Sequence, residues 1–198
     1  MKRAAALAFL VFTVALATSP MGAAAVSSRR HDIARFSARS VEMTSLARMT
    51  FRHVDIAISQ WSTDQDHRLL ARTLLEKGPR AFFDVLCGYP SVGTIAVAGG
   101  QEFTIRYAWQ AADRDGGQRI YLATDQPIML AGSEFRPLSS VDPLYFVELR
   151  LDRHGDGAGK LSDHVRLSVD ESRNVIELRD YDRRPMQLVM VHDELFVE

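Results

Sequence analysis

Glu102-Phe103-Thr104-Ile105-Arg106-Tyr107-Ala108-Trp109-Gln110 is the stretch on which the fold turns. Phe103, Ile105, Tyr107 and Trp109 recur at every second position, with Glu102, Thr104, Arg106 and Gln110 among the residues between them. A period of two sends successive side chains to opposite faces of a strand. Apolar residues on one face and polar ones on the other mark an antiparallel strand with one side on a core, so a single apolar face is expected along the whole segment. Downstream, Asp113-Arg114-Asp115-Gly116-Gly117 supplies a hairpin turn rich in residues that accept positive φ, and it leads into a second strand, Arg119 to Thr124. A third run, Pro127 to Leu130, follows.

Working outward, Val54, Ile56 and Ile58 alternate with Asp55 and Ala57 in a strand that begins near Met49. The pattern then becomes helical. Ser62-Thr63-Asp64 offers N-caps, and Leu69, Leu70, Leu74 and Leu75 recur at helical spacing up to Lys77-Gly78. Gly78-Pro79 ends this helix and opens a second one, with Phe82, Phe83, Leu86 and Cys87 as its apolar stripe before Gly88. Beyond the central hairpin, 131–143 reads as a polar loop, either a binding loop or a cover over one end of the sheet. Strands over Leu144–Leu151, Lys160–Val169, Val175–Tyr181 and Met186–Val191 complete a meander. The expectation is an α+β domain with a mainly antiparallel sheet, curled, sandwiched or barrel-like, of about seven to eight strands, and two short helices after the first strand.

Composition narrows the class of protein. The 198 residues carry 24 Lys+Arg against 25 Asp+Glu and are 46% hydrophobic, neither a strongly basic nucleic-acid binder nor an apolar-poor disordered chain. The first 25 residues read as a signal peptide: Lys2-Arg3, an uncharged run from Ala4 to Ala17, a break at Ser19-Pro20, then Ala23-Ala24-Ala25 for cleavage after Ala25. The run is shorter than the roughly 18 to 20 apolar residues that span a bilayer, so no stable membrane span is expected after cleavage. The chain lost would take two basic residues and no acids with it, leaving a net charge of −3. Residues 26–48 read as a flexible lead-in and 49–198 as one domain, exported to the periplasm or secreted. Cys87 is the sole cysteine, so no bridge within the chain forms; its apolar surroundings predict a buried small hydrophobe, with an intermolecular disulfide as the other use.

No string carries an established catalytic signature. Asp152-Arg153-His154-Gly155-Asp156-Gly157, with Asp163 further on, has a partial calcium-loop spacing of Asp152, Asp156 and Asp163, but position three is His and the flanks alternate as strands; a hairpin turn is the simpler reading. Gly157-Ala158-Gly159-Lys160 lacks the Ser or Thr and the earlier Gly of a phosphate-binding loop. The six histidines show no close metal-ligating spacing, and no cofactor is expected. If the protein were a hydrolase, Asp64, His67, Asp180, Asp182 and His192 would supply its acids and bases, and two or more of them would converge in a pocket.

Trp61-Ser62-Thr63-Asp64, Pro90-Ser91-Val92-Gly93, the run from Asp115 to Ile128, and Gly157-Ala158-Gly159-Lys160 stand out together. In this order they resemble a family of uncharacterised exported bacterial proteins with no assigned activity, over about Met49 to Val191. The resemblance implies an exported bacterial protein and transfers no functional residue. The function expected is therefore a non-catalytic domain that binds a protein or small-molecule ligand and not nucleic acid. Its expected binding surface combines Trp61 and Tyr89, aromatic residues beside turns, with Glu134 and Arg136 in the 131–143 loop.

Overall fold

A computed structural model describes residues 31–43, 49–98, 101–113, 115–128, 144–163, 165–170, 172, 175–181 and 185–196. Among these residues, eleven strands and one helix follow in the order β1 (Ala34–Met43), β2 (Met49–Ile58), α1 (Asp64–Cys87), β3 (Gly93–Val97), β4 (Gln101–Ile105), β5 (Tyr107–Ala112), β6 (Gln118–Thr124), β7 (Tyr145–Leu151), β8 (Asp156–Asp163), β9 (Val165–Asp170), β10 (Val175–Tyr181) and β11 (Met186–Asp193). The architecture is α+β and almost wholly antiparallel, with more strands than the alternation suggested and one broken helix in place of two.

Nine strands form one sheet in the order β4-β3-β2-β1-β11-β8-β7-β6-β5, while β9 and β10 pair as a separate hairpin. The sheet's two end strands, β4 and β5, are consecutive in the chain, so the sheet curls into a nearly closed barrel. Its interior is filled by buried side chains from all nine strands, among them Phe36, Ile56, Ile95, Phe103, Ile120, Val147, Leu161 and Leu188. An eight-to-nine-stranded barrel is about the width at which side chains alone fill the lumen.

Closure rests on a slip at Arg106. Both Arg106 and Tyr107 oppose Ala123: the Arg106 N–H donates to the Ala123 carbonyl at 2.9 Å and Tyr107 is the register partner of Ala123. Two residues facing one is a bulge, and the extra residue turns every later side chain to the other face. Phe103 and Ile105 point into the barrel, but beyond the slip Ala108 does, and Tyr107 and Trp109 join the outer layer. The expected single apolar face is thus divided between two cores. Arg106 is held in the bulge by Asp125, whose two oxygens each lie 3.1 Å from its Nε, and by the Tyr89 carbonyl 2.8 Å from its Nη1.

β1 lies within the stretch expected to be a lead-in and pairs with β2 over ten positions, from Ala34 opposite Ile58 to Met43 opposite Met49. Its inward residues are Ala34, Phe36, Ala38 and Ser40, so only one large apolar side chain announced it. The strand expected over Lys160–Val169 divides at 164: β8 stays in the barrel, whereas β9 leaves to pair with β10, and β11 then returns to β8.

α1 packs against the outside of β5, β6 and β7 together with the β9–β10 hairpin. Thr63 caps it: its Oγ1 accepts the Asp66 N–H at 3.2 Å while its own N–H donates to the Asp66 carboxylate at 3.1 Å. At Gly78, φ is +82°, a left-handed conformation that together with Pro79 breaks the helical path between its two halves. The buried stripe of the first half is His67, Leu70, Ala71 and Leu74, the i, i+3, i+4, i+7 pattern of one helix face. Leu69 and Leu75, expected in that stripe, are exposed. Cys87, at the end of the helix, is exposed as well, contrary to its expected burial: the stripe of the second half is Phe82 and Leu86, and Cys87 lies one position beyond it. No described helix is long and apolar enough to cross a membrane.

Candidate functional site

The outer faces of β5, β6 and β7 form a small grid. Tyr107, Ala123 and Phe146 make one row, Trp109, Tyr121 and Glu148 the next, and Ala111, Arg119 and Arg150 a third, each set by direct cross-strand pairing. α1 covers the first row. His67, fully buried, stacks on Trp109 with ring centroids 4.2 Å apart and planes within 11°, and its Nδ1 lies 2.7 Å from the Tyr107 hydroxyl. Burial pushes the Tyr107 hydroxyl pKa well above its ordinary value, with repulsion from Tyr121 adding to the shift, so this phenol is neutral through the physiological range.

The third row opens into a cleft of about 860 Å³. Its floor includes Trp109 and Tyr121, and the turn of the β9–β10 hairpin contributes Asp170, Ser172 and Val175. Arg119 and Arg150 face each other directly across β6 and β7, a like-charge pair that would repel if left alone. Asp113, at the end of β5, resolves this: its Oδ2 accepts from Arg119 Nε at 2.9 Å and lies 3.1 Å from Arg150 Nε. Arg150 Nη2 also reaches Asp115 at 3.0 Å, and Arg119 Nη1 lies 3.5 Å from Glu148. The hydrogen bond to Asp113 raises the Arg119 pKa despite the opposing effect of burial, and the attraction of Asp113 and Tyr121 reinforces it. Arg119 and Asp113 are mostly shielded from solvent and Arg150 is 57% exposed, so the array is anchored at one end and presented at the other. A second cavity of about 500 Å³, reaching Gly117, Asp152 and Phe196, adjoins the first through Gln110, Ala111 and Ala112.

The residues expected to bind sit elsewhere. Trp61 is half-buried against the barrel's interior core, and Tyr89 packs on the helix layer, where burial and then the Asp66 carboxylate raise its hydroxyl pKa. Glu134 and Arg136 lie outside the described residues, as do Asp182 and the side chain of Asp180. The acids and bases expected of a hydrolase do not converge among the described side chains. Asp64 begins α1 and is exposed, His67 is locked in the aromatic stack, and His192 on β11 pairs with Asp156 on β8 at 2.8 Å, four and three strands from β5 along the sheet.

The register sets the residues of the calcium-like spacing apart. Asp163 is opposite Tyr145 at one end of the β7–β8 pair, and Asp152 follows Leu151 at the other, seven residues along the same strand direction and so about 23 Å apart. Asp152 instead staples the hairpin turn, its Oδ1 accepting the N–H groups of His154 at 2.7 Å and Asp156 at 3.1 Å, and these bonds hold its carboxyl below the ordinary range. Among the described residues no group of three or more His, Cys, Asp or Glu side chains is placed to hold a metal ion.

Comparison with known proteins leaves the cleft to be read from its own chemistry. The chain matches no family model, no curated protein and no solved structure. In the sequence, Asp113 and Asp115 read as hairpin-turn residues and Trp109 as part of the apolar face of a strand, none of them as a site. The signal that finds them is Arg119 and Arg150 on strands that otherwise pack on a core, with Asp113 two residues beyond Ala111.

Proposed function

We propose that this protein is an exported, non-catalytic binding domain of a bacterium, acting in the periplasm or outside the cell, that takes a small polar ligand into the cleft over β5, β6 and β7. The observation that carries this reading is the cleft itself: an aromatic floor beside an ordered array of charged hydrogen-bonding groups. Cavities of roughly 300–1,000 Å³ with a few convergent polar groups are the usual form of small-molecule sites. The filled barrel supports an outer site over a lumenal one. The signal-like first 25 residues support export.

The test is a thermal-shift screen of the mature chain against neutral saccharides, carboxylates, amines and aromatic metabolites. A ligand at about 100 times its Kd adds about 2.7 kcal/mol, which raises Tm by about 5–10 °C for a chain of this size. That shift should shrink in Arg150→Gln. Hydrolytic turnover of ester, peptide, glycoside or phosphate substrates, abolished by a single substitution in the cleft, would overturn the reading.

A further inference from the structure

We infer that the cleft selects neutral, hydroxyl-rich rings, that is, a saccharide, seated on Trp109 with its hydroxyls on the Asp113–Arg119–Arg150–Asp115 array; this rests on the cleft being a ligand site at all. Three features converge on the class. First, the array is already internally satisfied in charge. Each arginine is bonded to two carboxylates, Arg119 to Asp113 and Glu148 and Arg150 to Asp113 and Asp115. An anionic ligand would have to displace one of these tethered carboxylates. A cationic ligand would have to displace a guanidinium from Asp113 or Asp115. Asp170, for its part, accepts from both the N–H and the hydroxyl of Ser172.

Second, an interlocked Asp–Arg array still offers what a neutral polyol needs. Carboxylate oxygens keep further lone pairs and guanidinium groups have five N–H donors, so acceptors and donors lie side by side in fixed directions. A vicinal diol, each hydroxyl both donor and acceptor, fits such alternation without transferring net charge into the site. Charge-assisted hydrogen bonds of this type are roughly twice as strong as neutral ones.

Third, Trp109 is a prepared platform. His67 stacks on it nearly parallel, and His67 is itself tied to Tyr107, so the indole is fixed before any ligand arrives. A fixed flat ring beside directional polar groups suits the apolar face of a pyranose, whose C–H bonds meet the ring while its hydroxyls point sideways. The adjoining cavity past Gln110 and Ala112 continues the groove, which favours an oligosaccharide over a single ring.

The experiment uses the mature chain and the two indole N–H signals of Trp61 and Trp109 in a heteronuclear NMR spectrum, assigned with Trp61→Phe. Maltotriose, cellotriose and chitotriose are titrated, with spermidine and citrate as the charged probes. The expected result is a saturable shift of the Trp109 signal by at least one trisaccharide, weakened about 10-fold or more in Arg150→Gln, whose exposed site keeps the fold intact. Trp109→Phe, which keeps a smaller platform but no indole signal, is read by thermal shift instead, where the same trisaccharide should give a smaller rise in Tm than in the wild type without losing it. Binding of spermidine or citrate at Trp109 with none of the trisaccharides overturns the saccharide assignment and leaves the cleft a ligand site. No shift of the Trp109 signal by any probe, neutral or charged, overturns the saccharide assignment, and an empty thermal-shift screen would then remove the ligand site too.

Discussion

Replacing Arg106 with Ala tests the bulge on which both barrel closure and the cleft depend. Arg106 makes two charged contacts to Asp125 at 3.1 Å and one to the Tyr89 carbonyl at 2.8 Å, and the two side chains are only 26% and 15% exposed. A hydrogen bond to a charged group is worth about 1.5–3 kcal/mol, and removing one partner of a shielded pair leaves the other desolvated and uncompensated. With a discount for the remaining solvent exposure, Arg106→Ala should cost about 2–3 kcal/mol, or about 5–10 °C in Tm. Asp125→Ala should cost slightly less, because the Tyr89 contact survives. The double variant should fall short of the sum by about 1 kcal/mol or more, the coupling expected of residues in one network. Urea unfolding of the four proteins, monitored by fluorescence and far-UV circular dichroism, gives the cycle. Had strict alternation held through this strand, Arg106 would be an ordinary solvent-facing side chain with Thr104, and its loss would lie within about 0.5 kcal/mol. A cost that small, or a coupling near zero, would refute the bulge.

Tyr107→Phe should cost about 1 kcal/mol at pH 7 by removing the bond to His67. It should also flatten the alkaline side of the stability curve: the wild-type phenol has a folded pKa raised above 10, so stability present below pH 10 is lost as pH rises, by about 1.4 kcal/mol per unit once the unfolded tyrosine ionises, and a variant that keeps the full slope contradicts the buried hydroxyl. Gly157→Ala would place a Cβ 1.9 Å from the Arg150 carbonyl oxygen, whereas Gly78→Ala meets no atom within 4 Å and faces only the strain of φ +82°. Urea midpoints should therefore rank Gly157→Ala as the worse by far, at more than about 3 kcal/mol against about 1–2 for Gly78→Ala, and the reverse order would be inconsistent with the β7–β8 pairing. Cys87 should react with iodoacetamide in the native protein at pH 8, since it is exposed, but more slowly than in the urea-unfolded chain, since partial burial and then the Asp125 carboxylate raise its thiol pKa; labelling that requires denaturant would return Cys87 to the core.

What could be read from the residues was whatever local chemistry decides. The alternation in β2, the Thr63 cap and the Gly78-Pro79 break are each settled within a few neighbours, and each stands in the structure. The bulge is not local. Its determinants are a carboxylate 19 residues downstream and a carbonyl 17 residues upstream of or before Arg106, and no window of sequence weighs them. β1 was obscured for a different reason: opposite the larger Ile58 and Val54 the inward positions hold only Ala34 and Ala38, and a strand with small inward residues has little hydrophobic contrast. The cleft was hidden by the same slip as the bulge, since Trp109 and Tyr107 are apolar residues in the right phase for the barrel's interior and only the extra residue sends them outward.

That slip joins stability to the proposed function. If β4 and β5 ran in phase, Tyr107 and Trp109 would compete for a lumen already filled by Ile120, Leu122, Val147 and Leu149, and Ala108 and Gln110 would face the helix. β5 would then present no ring for His67 to stack on, and the cleft would lose its Trp109 platform while keeping its arginines. Ligand affinity should accordingly fall in Arg106→Ala even though Arg106 is not one of the residues lining the cleft, because loosening the bulge frees Trp109 and adds the cost of ordering it to every binding event. The discriminating measurement is the Trp109 indole signal in the unliganded variant: broadening or a shift toward the solvent-exposed position is expected at temperatures well below its Tm. An unchanged signal, with affinity equally unchanged, would mean that the bulge serves closure alone and that the aromatic stack holds itself in place.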